Sequence, residues 1–318
     1  MSFRLVRKLK PGFLVTAPRA VAAIGALAAI ALLWGGFRSA NSQTRGAYKP
    51  AHTADGQPDL SGYWQTMNTA NWDIEEHGAA PAPYANLVGV YLAEPAGLSV
   101  VEGGTIPYKP EALAQRNRYR AERLHPDPLV LENGTEDQAD PEAKCYQGGV
   151  PRVTYMPYPF QILQTNDTVL IAYEYGGNSA RVVQLGDDLE KTRAKLINTD
   201  SWMGQSVGRF EGDTLVVDDR WFSHVIWLDR SGNYYSQDAH VVERYTPTSP
   251  DHIRYEATID DPKVFTRPWK MSMILYKHAE PDMQLLEFQC IPFADEFVYG
   301  KLYKKKPKPT SQEPGSPR

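Results

Sequence analysis

The chain has 318 residues, 42% of them apolar, and a formal net charge of −4. A chain of this length can bury a substantial core within one domain, and a slightly negative charge without an internal stripe of Lys and Arg excludes nucleic acid as an expected partner. The 18 Tyr and 7 Trp, together with 25 Pro and 24 Gly, favour strands joined by turns.

The N-terminal residues 1–42 have the pattern of a signal peptide or a membrane anchor. An uncharged apolar run, residues 20–37, follows five basic residues: Arg4, Arg7, Lys8, Lys10 and Arg19. This layout predicts export and makes the membrane a partner of residues 20–37. The run is long for a signal peptide and short for a membrane-spanning helix, so cleavage after Ser42 and retention as an anchor both stay open. A buried core helix is the alternative, but its flanking charges oppose burial. Export places the rest of the chain in the periplasm or beyond.

The next part of the chain has few signs of regular structure. Residues 43–57 are polar and turn-rich, as expected of a linker. Residues 110–124 predict one short helix, with loop-like stretches at residues 78–108 and 132–144. Asp73 and His77 would share one side of a helical turn, but no His-x-x-x-His pattern accompanies them, so no metal site is expected.

From Phe160 onward, short apolar runs alternate with turn residues. Eight runs have strand length and β-branched or aromatic content: Val169–Tyr175, Arg181–Leu185, Thr214–Asp218, Val225–Leu228, Ala239–Tyr245, Ile253–Ile259, Met271–Tyr276 and Leu285–Cys290. Their spacing predicts a mostly-β domain over residues 58–302, an antiparallel barrel or sandwich. Residues 303–318 carry four Lys among Pro and Ser and are interpreted as a disordered basic tail.

The chain has two cysteines, Cys145 and Cys290. An oxidising compartment permits a disulfide between them, which would close a loop of about 145 residues. Two buried free thiols are the alternative. Neither cysteine lies in a Cys-x-x-Cys motif, so no structural zinc or thiol-redox chemistry is expected.

Two stretches resemble known proteins. The segment Pro58-Asp59-Leu60-Ser61-Gly62-Tyr63-Trp64 is similar to the Gly-x-Trp opening of calycin-type (lipocalin-type) barrels, which implies that Trp64 lies on the first strand and plugs one end of a barrel. The run from Trp202 to Asp218, with His240–Tyr245 and Ile259–Pro262, resembles a largely uncharacterised family of exported bacterial proteins. The resemblance implies a fold and a compartment, with no catalytic residues to carry over.

The strand around residues 238–245 provides the first candidate site. Alternation puts Asp238, His240, Val242 and Arg244 on one face and Ala239, Val241, Glu243 and Tyr245 on the other. If the polar face lines a barrel lumen, His240 could move a proton and Arg244 could hold an anionic oxygen. The alternative is that this face meets solvent.

Two further candidates lie on other strands. Glu174 is expected on a strand of apolar neighbours, either as a general acid or base or as the buried partner of Arg181. In residues 202–218, Trp202 would form an aromatic wall, with Ser206, Arg209 and Asp218 as polar groups at the barrel mouth. Alternatively, this segment reflects a hairpin turn at Glu211–Gly212–Asp213, with Arg209 in a surface ion pair.

The sequence therefore predicts that the barrel binds a small hydrophobic molecule outside the cytoplasm, without a metal or another cofactor. His240, Arg244 and Glu174 are the candidate catalytic residues, and the candidate ligand-binding residues are Trp202, Ser206, Arg209, Asp218 and Trp64. One alternative is a barrel enzyme of the isomerase, hydratase or lactone hydrolase type. Another is an envelope scaffold without a ligand.

Overall fold

The computed structural model describes residues 48–81, 93–122, 140–196 and 199–291. The predicted signal or anchor segment at residues 1–42, most of the linker and the basic tail at residues 303–318 lie outside these ranges. Within the described ranges no helix combines the length and apolar character needed to cross a membrane.

The described residues form eleven strands and four helical segments. The strands are β1 Gly62–Thr66, β2 Phe160–Gln164, β3 Thr168–Tyr173, β4 Ala180–Leu185, β5 Gln205–Glu211, β6 Thr214–Arg220, β7 Ile226–Trp227, β8 Tyr234–Tyr235, β9 His240–Ser249, β10 His252–Asp260 and β11 Trp269–Lys277. The helical segments are α1 Pro110–Glu122, α2 Arg152–Tyr155, α3 Tyr175–Asn178 and α4 Leu189–Arg193. The fold is mostly β, and among the described residues the one helix longer than two turns spans residues 110–122. Both features confirm the fold class predicted from the sequence.

Nine of the described strands close into a barrel in the order β1-β11-β10-β9-β6-β5-β4-β3-β2, with β2 pairing back to β1. This closed sheet settles the choice between barrel and sandwich. Neighbouring strands are antiparallel except β4 and β5, which are parallel. A parallel pair needs a crossover that returns the chain to the starting end, and α4 lies in this connection between β4 and β5.

Three predicted strands differ from the structure. β3 ends at Tyr173, so Glu174 lies beyond it, at the start of α3. The run at residues 225–228 contributes only β7, which pairs with β8 in a separate two-stranded sheet. Residues 285–290 form no strand, although their composition favours one, because none of the described strands pairs with them.

The turn at Glu211–Gly212–Asp213 joins β5 to β6, as predicted from the sequence. Gly212 has a φ of +59°, in the left-handed region that glycine tolerates best. The β5–β6 hairpin brings Ser206 opposite Asp219 and Val207 opposite Asp218. The hairpin therefore presents the two neighbouring carboxylates to opposite faces of the barrel wall.

A buried ion network packs beside the barrel. Arg152 of α2 is bound by Asp140 at 2.7 Å and by Glu142 at 2.8 Å, and Glu142 also binds Arg230 at 2.6 Å. Burial opposes the ionisation of Glu142, but the Arg230 and Arg152 charges lower its pKa to about 2. The network fixes the turn that carries Cys145.

Cys145 and Cys290 form a disulfide, with their Cα atoms 5.6 Å apart. The predicted bridge is therefore present, and the alternative of two free thiols is wrong. The bond connects the turn at residues 140–145 to the segment that follows the last barrel strand.

Candidate functional site

Alternation along β9 decides which side chains enter the barrel. Val241, Glu243 and Tyr245 are buried inside, whereas His240 and Arg244 are partly exposed on the outer surface. The prediction that the face with His240 and Arg244 lines the lumen is wrong. The side chains of His240 and Arg244 therefore meet solvent. The opposite face of β9 places one acidic residue, Glu243, in the lumen between Val241 and Tyr245.

Glu243 is the centre of a polar cluster in the lumen, which we define as Tyr173, Arg181, Ser206, Asp219, Glu243, Tyr245 and Tyr255. Arg181 Nη2 donates to Glu243 Oε2 at 2.5 Å. The hydroxyls of Tyr255 and Tyr245 donate to Glu243 Oε1 at 2.6 Å and 3.0 Å. Glu243 is fully buried. Burial opposes its ionisation, but the Arg181 charge and these hydrogen bonds outweigh burial and lower its pKa.

Asp219 is the second carboxyl group of the lumen cluster and is also fully buried. Ser206 Oγ donates to its Oδ1, and Arg181 Nη1 lies 4.0 Å from the same oxygen. Burial and the neighbouring Glu243 raise the pKa of Asp219 well above its ordinary value, against the opposing charge of Arg181. The two adjacent carboxyl groups thus have pKa values shifted in opposite directions, which favours the protonated form of Asp219 and the ionised form of Glu243.

Several buried polar atoms of the lumen have no hydrogen-bond partner among the described residues. They are Arg181 Nε and Nη1, the Tyr173 hydroxyl, Thr154 Oγ1 and Asp219 Oδ2. Asp219 lies within hydrogen-bonding reach of Glu243, and its raised pKa favours a protonated carboxyl group that donates to Glu243. The Arg181 nitrogens have no such explanation, and an unpartnered buried donor costs about 1–3 kcal/mol.

The rest of the lumen is apolar and closed to solvent. Ile171 lies opposite Arg181, and Val217 and Ala257 flank Glu243 in the sheet register. Further side chains of the inner wall, all buried, are Phe160, Ile162, Val169, Val183, Leu215, Ile253, Ile259, Trp269, Met271, Met273 and Leu275. Thr154 of α2 is a polar neighbour of both Tyr173 and Tyr245, so α2 contributes to the polar part of the lumen.

The structure brings His240 and Asp218 together on the outer face. His240 Nε2 lies 2.6 Å from Asp218 Oδ2, and Arg220 Nε donates to Asp218 Oδ1 at 3.1 Å. Arg193 of α4 donates to the same carboxylate and, at 2.9 Å, to the Asp218 carbonyl oxygen. Burial opposes the ionisation of Asp218, but His240 and the two arginines lower its pKa. This arrangement anchors α4 against the barrel wall.

Arg209 and Arg244 lie apart from the lumen cluster. Both bind the carboxylate of Glu211 on the outer surface, at 2.6 Å and 2.9 Å. Exposed ion pairs of this kind contribute about 0–1 kcal/mol each. Arg209 thus forms a surface ion pair, which is the alternative to its predicted role at the barrel mouth.

The remaining predicted site residues are dispersed. Glu174 Oε2 accepts a hydrogen bond from the Leu286 backbone, and Arg181 pairs with Glu243 in the lumen, so the predicted Glu174–Arg181 pair is wrong. Trp202 lies against the rings of Tyr146 and His224, with centroids 5.0 Å and 4.7 Å away.

Two predicted residues do face the barrel interior. Ser206 is buried in the lumen beside Asp219. Trp64 is buried on β1, where its Nε1 donates to the Leu60 carbonyl at 2.9 Å and Lys277 lies over its ring.

The roles of Asp219, Glu243 and the three tyrosines of the lumen cluster are not predicted from the sequence, which pairs Arg181 with Glu174 instead. The available signal was Glu243 itself, since it alternates in phase with Val241 and Tyr245. An acid within an apolar face requires a buried partner.

Comparisons with known proteins do not identify this site. Family models, curated proteins and solved structures were compared with the chain, and none of them matches it. Over the described ranges, no group of three or more His, Cys, Asp or Glu side chains is placed to hold a metal ion.

Proposed function

We propose that the barrel binds one small, mainly hydrophobic molecule in its lumen, in a compartment outside the cytoplasm. The observation that carries this proposal is the pair of Arg181 nitrogens without a hydrogen bond, buried within the lumen cluster of a barrel whose remaining inner wall is apolar. A bound molecule with an oxygen atom would give these donors a partner. The disulfide and the resemblance to exported bacterial proteins support the compartment.

Ligand entry requires a second conformation, since the lumen side chains are closed to solvent. Binding then shifts the population from the closed barrel towards a form in which one end is open. The apparent affinity is lowered by the fraction of molecules in that form.

A titration with the fluorescent, uncharged probe 1-aminoanthracene tests the proposal. We expect saturable binding of one probe per barrel. Ala257→Leu enlarges a buried side chain next to Glu243 and should weaken binding at least tenfold, because the added carbon atoms take up lumen space that the ligand needs. The matched control, Ala180→Leu, enlarges an exposed side chain on the outer face and should leave binding unchanged. Absence of saturable binding to the wild-type protein would overturn the proposal and favour a scaffold.

A second candidate function is acid–base catalysis, favoured by the opposite pKa shifts of Asp219 and Glu243. Glu243 would take a proton from a carbon next to a carbonyl group, while Arg181 stabilises the resulting enolate oxygen. The proton then returns to the carbon from Glu243 or Asp219. Mass spectrometry of 2-undecanone in D2O checks this: the wild type should accelerate deuterium uptake and Glu243→Gln should not. Equal uptake with both proteins would exclude the candidate.

A further inference from the structure

The charges of the lumen cluster balance without a ligand. Arg181 carries one positive charge, and Glu243, at 2.5 Å, carries one negative charge. Burial and the neighbouring Glu243 raise the pKa of Asp219 well above its ordinary value, which favours its neutral form, and burial raises the pKa of Tyr173 to about 12, so this hydroxyl is neutral. A charged ligand would therefore leave one net charge in a site without solvent, which is costly.

In contrast to its charges, the hydrogen bonds of the cluster do not balance, because some donors lack an acceptor. The guanidinium group has only donors, and two of its three nitrogens, Nε and Nη1, make no hydrogen bond in the described part of the chain, with Asp219 Oδ1 lying 4.0 Å from Nη1. The Tyr173 hydroxyl is close enough to Arg181 for the two side chains to interact electrostatically. A hydrogen-bond acceptor in the lumen would therefore give both Arg181 and Tyr173 a partner.

We infer that the lumen selects an uncharged hydrophobic carbonyl compound, such as a long-chain ketone, ester or lactone, whose oxygen accepts hydrogen bonds from Arg181 and Tyr173. This inference rests on the proposed function. A carbonyl oxygen has lone pairs for two donors and adds no charge, and its hydrocarbon part contacts the apolar wall. A hydrocarbon would leave the donors unpartnered, and a fatty acid would place a second carboxylate beside Glu243.

Three probes of equal chain length separate these possibilities. 2-Undecanone, undecanoate and undecane compete with bound 1-aminoanthracene at pH 7. We expect the ketone to displace the probe at a concentration at least tenfold lower than either competitor, since only the ketone accepts a hydrogen bond from the charged donor without adding a charge.

Tyr173→Phe tests the role of the lumen donors in a protein that should fold. Among the described residues its hydroxyl makes no hydrogen bond of ordinary geometry, although Thr154 lies near enough to lower its pKa, so its removal disturbs at most one weak contact. We expect unchanged or higher thermal stability and a loss of at least half of the ketone's advantage over undecane. Tyr276→Phe, on a side chain that is 40% exposed, is the matched control and should change neither.

The outcomes distinguish this inference from the proposed function. If the wild type does not bind 1-aminoanthracene, the proposed function itself fails. If the probe binds but undecanoate or undecane competes as well as the ketone, the carbonyl preference is overturned and binding stands. If the ketone keeps its full advantage over undecane in Tyr173→Phe, the carbonyl preference is also overturned.

Discussion

Glu243 shows how a single side chain can determine the character of the barrel interior. Buried charge is stable only when hydrogen bonds and an opposite charge surround it, and Glu243 obtains both from Arg181, Tyr245 and Tyr255. The alternation that separates the two faces of β9 was predictable, but alternation alone does not tell which face is inside. The sequence leaves two alternatives for the face with His240 and Arg244, and the structure shows the one outside the barrel, where solvent and Glu211 satisfy Arg244.

Asp218 and Asp219, adjacent in sequence, should affect stability in opposite directions with pH. The folded-state pKa of Asp219 is raised, so its contribution is fully present below the unfolded value of about 3.9 and is lost as the pH rises towards the folded pKa. Asp219→Asn resembles the protonated acid and avoids this loss. We expect the wild type to lose up to about 1.4 kcal/mol per pH unit relative to Asp219→Asn across that range.

Asp218→Asn provides the internal control, measured by urea unfolding at the same series of pH values. The folded-state pKa of Asp218 is lowered, so its contribution is present above about pH 4 and is lost as the pH falls through the folded pKa. The wild type should therefore exceed Asp218→Asn in stability at neutral pH and lose that advantage in acid. Parallel pH profiles for the two variants would contradict the assignment of the two carboxylates to opposite faces.

At the scale of elements, strands with apolar alternation were the most predictable part of the fold. β4, β6, β9, β10 and β11 were all indicated by the sequence, with differences only at their ends. The parallel β4–β5 pair was not, because it depends on where the α4 crossover returns the chain. Residues 285–290 have strand composition, but pairing is a property of two segments and cannot be deduced from one.

The attachment of α4 should depend on Arg193 rather than on the helix itself. This buried guanidinium donates to the carbonyl oxygens of Gln205 and Asp218 and to the Asp218 carboxylate. We expect Arg193→Met to lower the free energy of unfolding by about 3 kcal/mol, as for other broken buried ion pairs. Lys191→Met on the same helix removes a side chain that is 83% exposed and should cost less than about 0.5 kcal/mol. Equal effects of the two substitutions in urea unfolding would show that Arg193 has no anchoring role.

For the whole molecule, composition indicated a mostly-β chain, and the closed barrel confirms it. The disulfide was one of two alternatives until the fold brought residues 145 and 290 together. The lumen cluster could not be predicted because its members come from β3, β4, β5, β6, β9 and β10, and only barrel closure brings them into contact. Export remains a prediction from residues 1–42.

Removal of the disulfide should reduce the stability of the whole domain. The bond closes a loop with a sequence separation of 145 residues, which includes ten of the eleven strands described here. We expect Cys145→Ser/Cys290→Ser to lower the free energy of unfolding by about 2–4 kcal/mol. The wild type treated with reductant should behave in the same way. Two alkylatable thiols in untreated folded protein would show that the bond is not formed.

The most direct test of the lumen site is an NMR titration of protein with 13C-labelled tyrosine rings. On addition of 2-undecanone we expect the resonances of Tyr173, Tyr245 and Tyr255 to shift together and to saturate at one ligand per barrel, because all three hydroxyl groups belong to the lumen cluster. The exposed Tyr276 should not respond. Shifts confined to exposed tyrosines, or no saturable shift of the three lumen tyrosines, would contradict ligand binding inside the barrel.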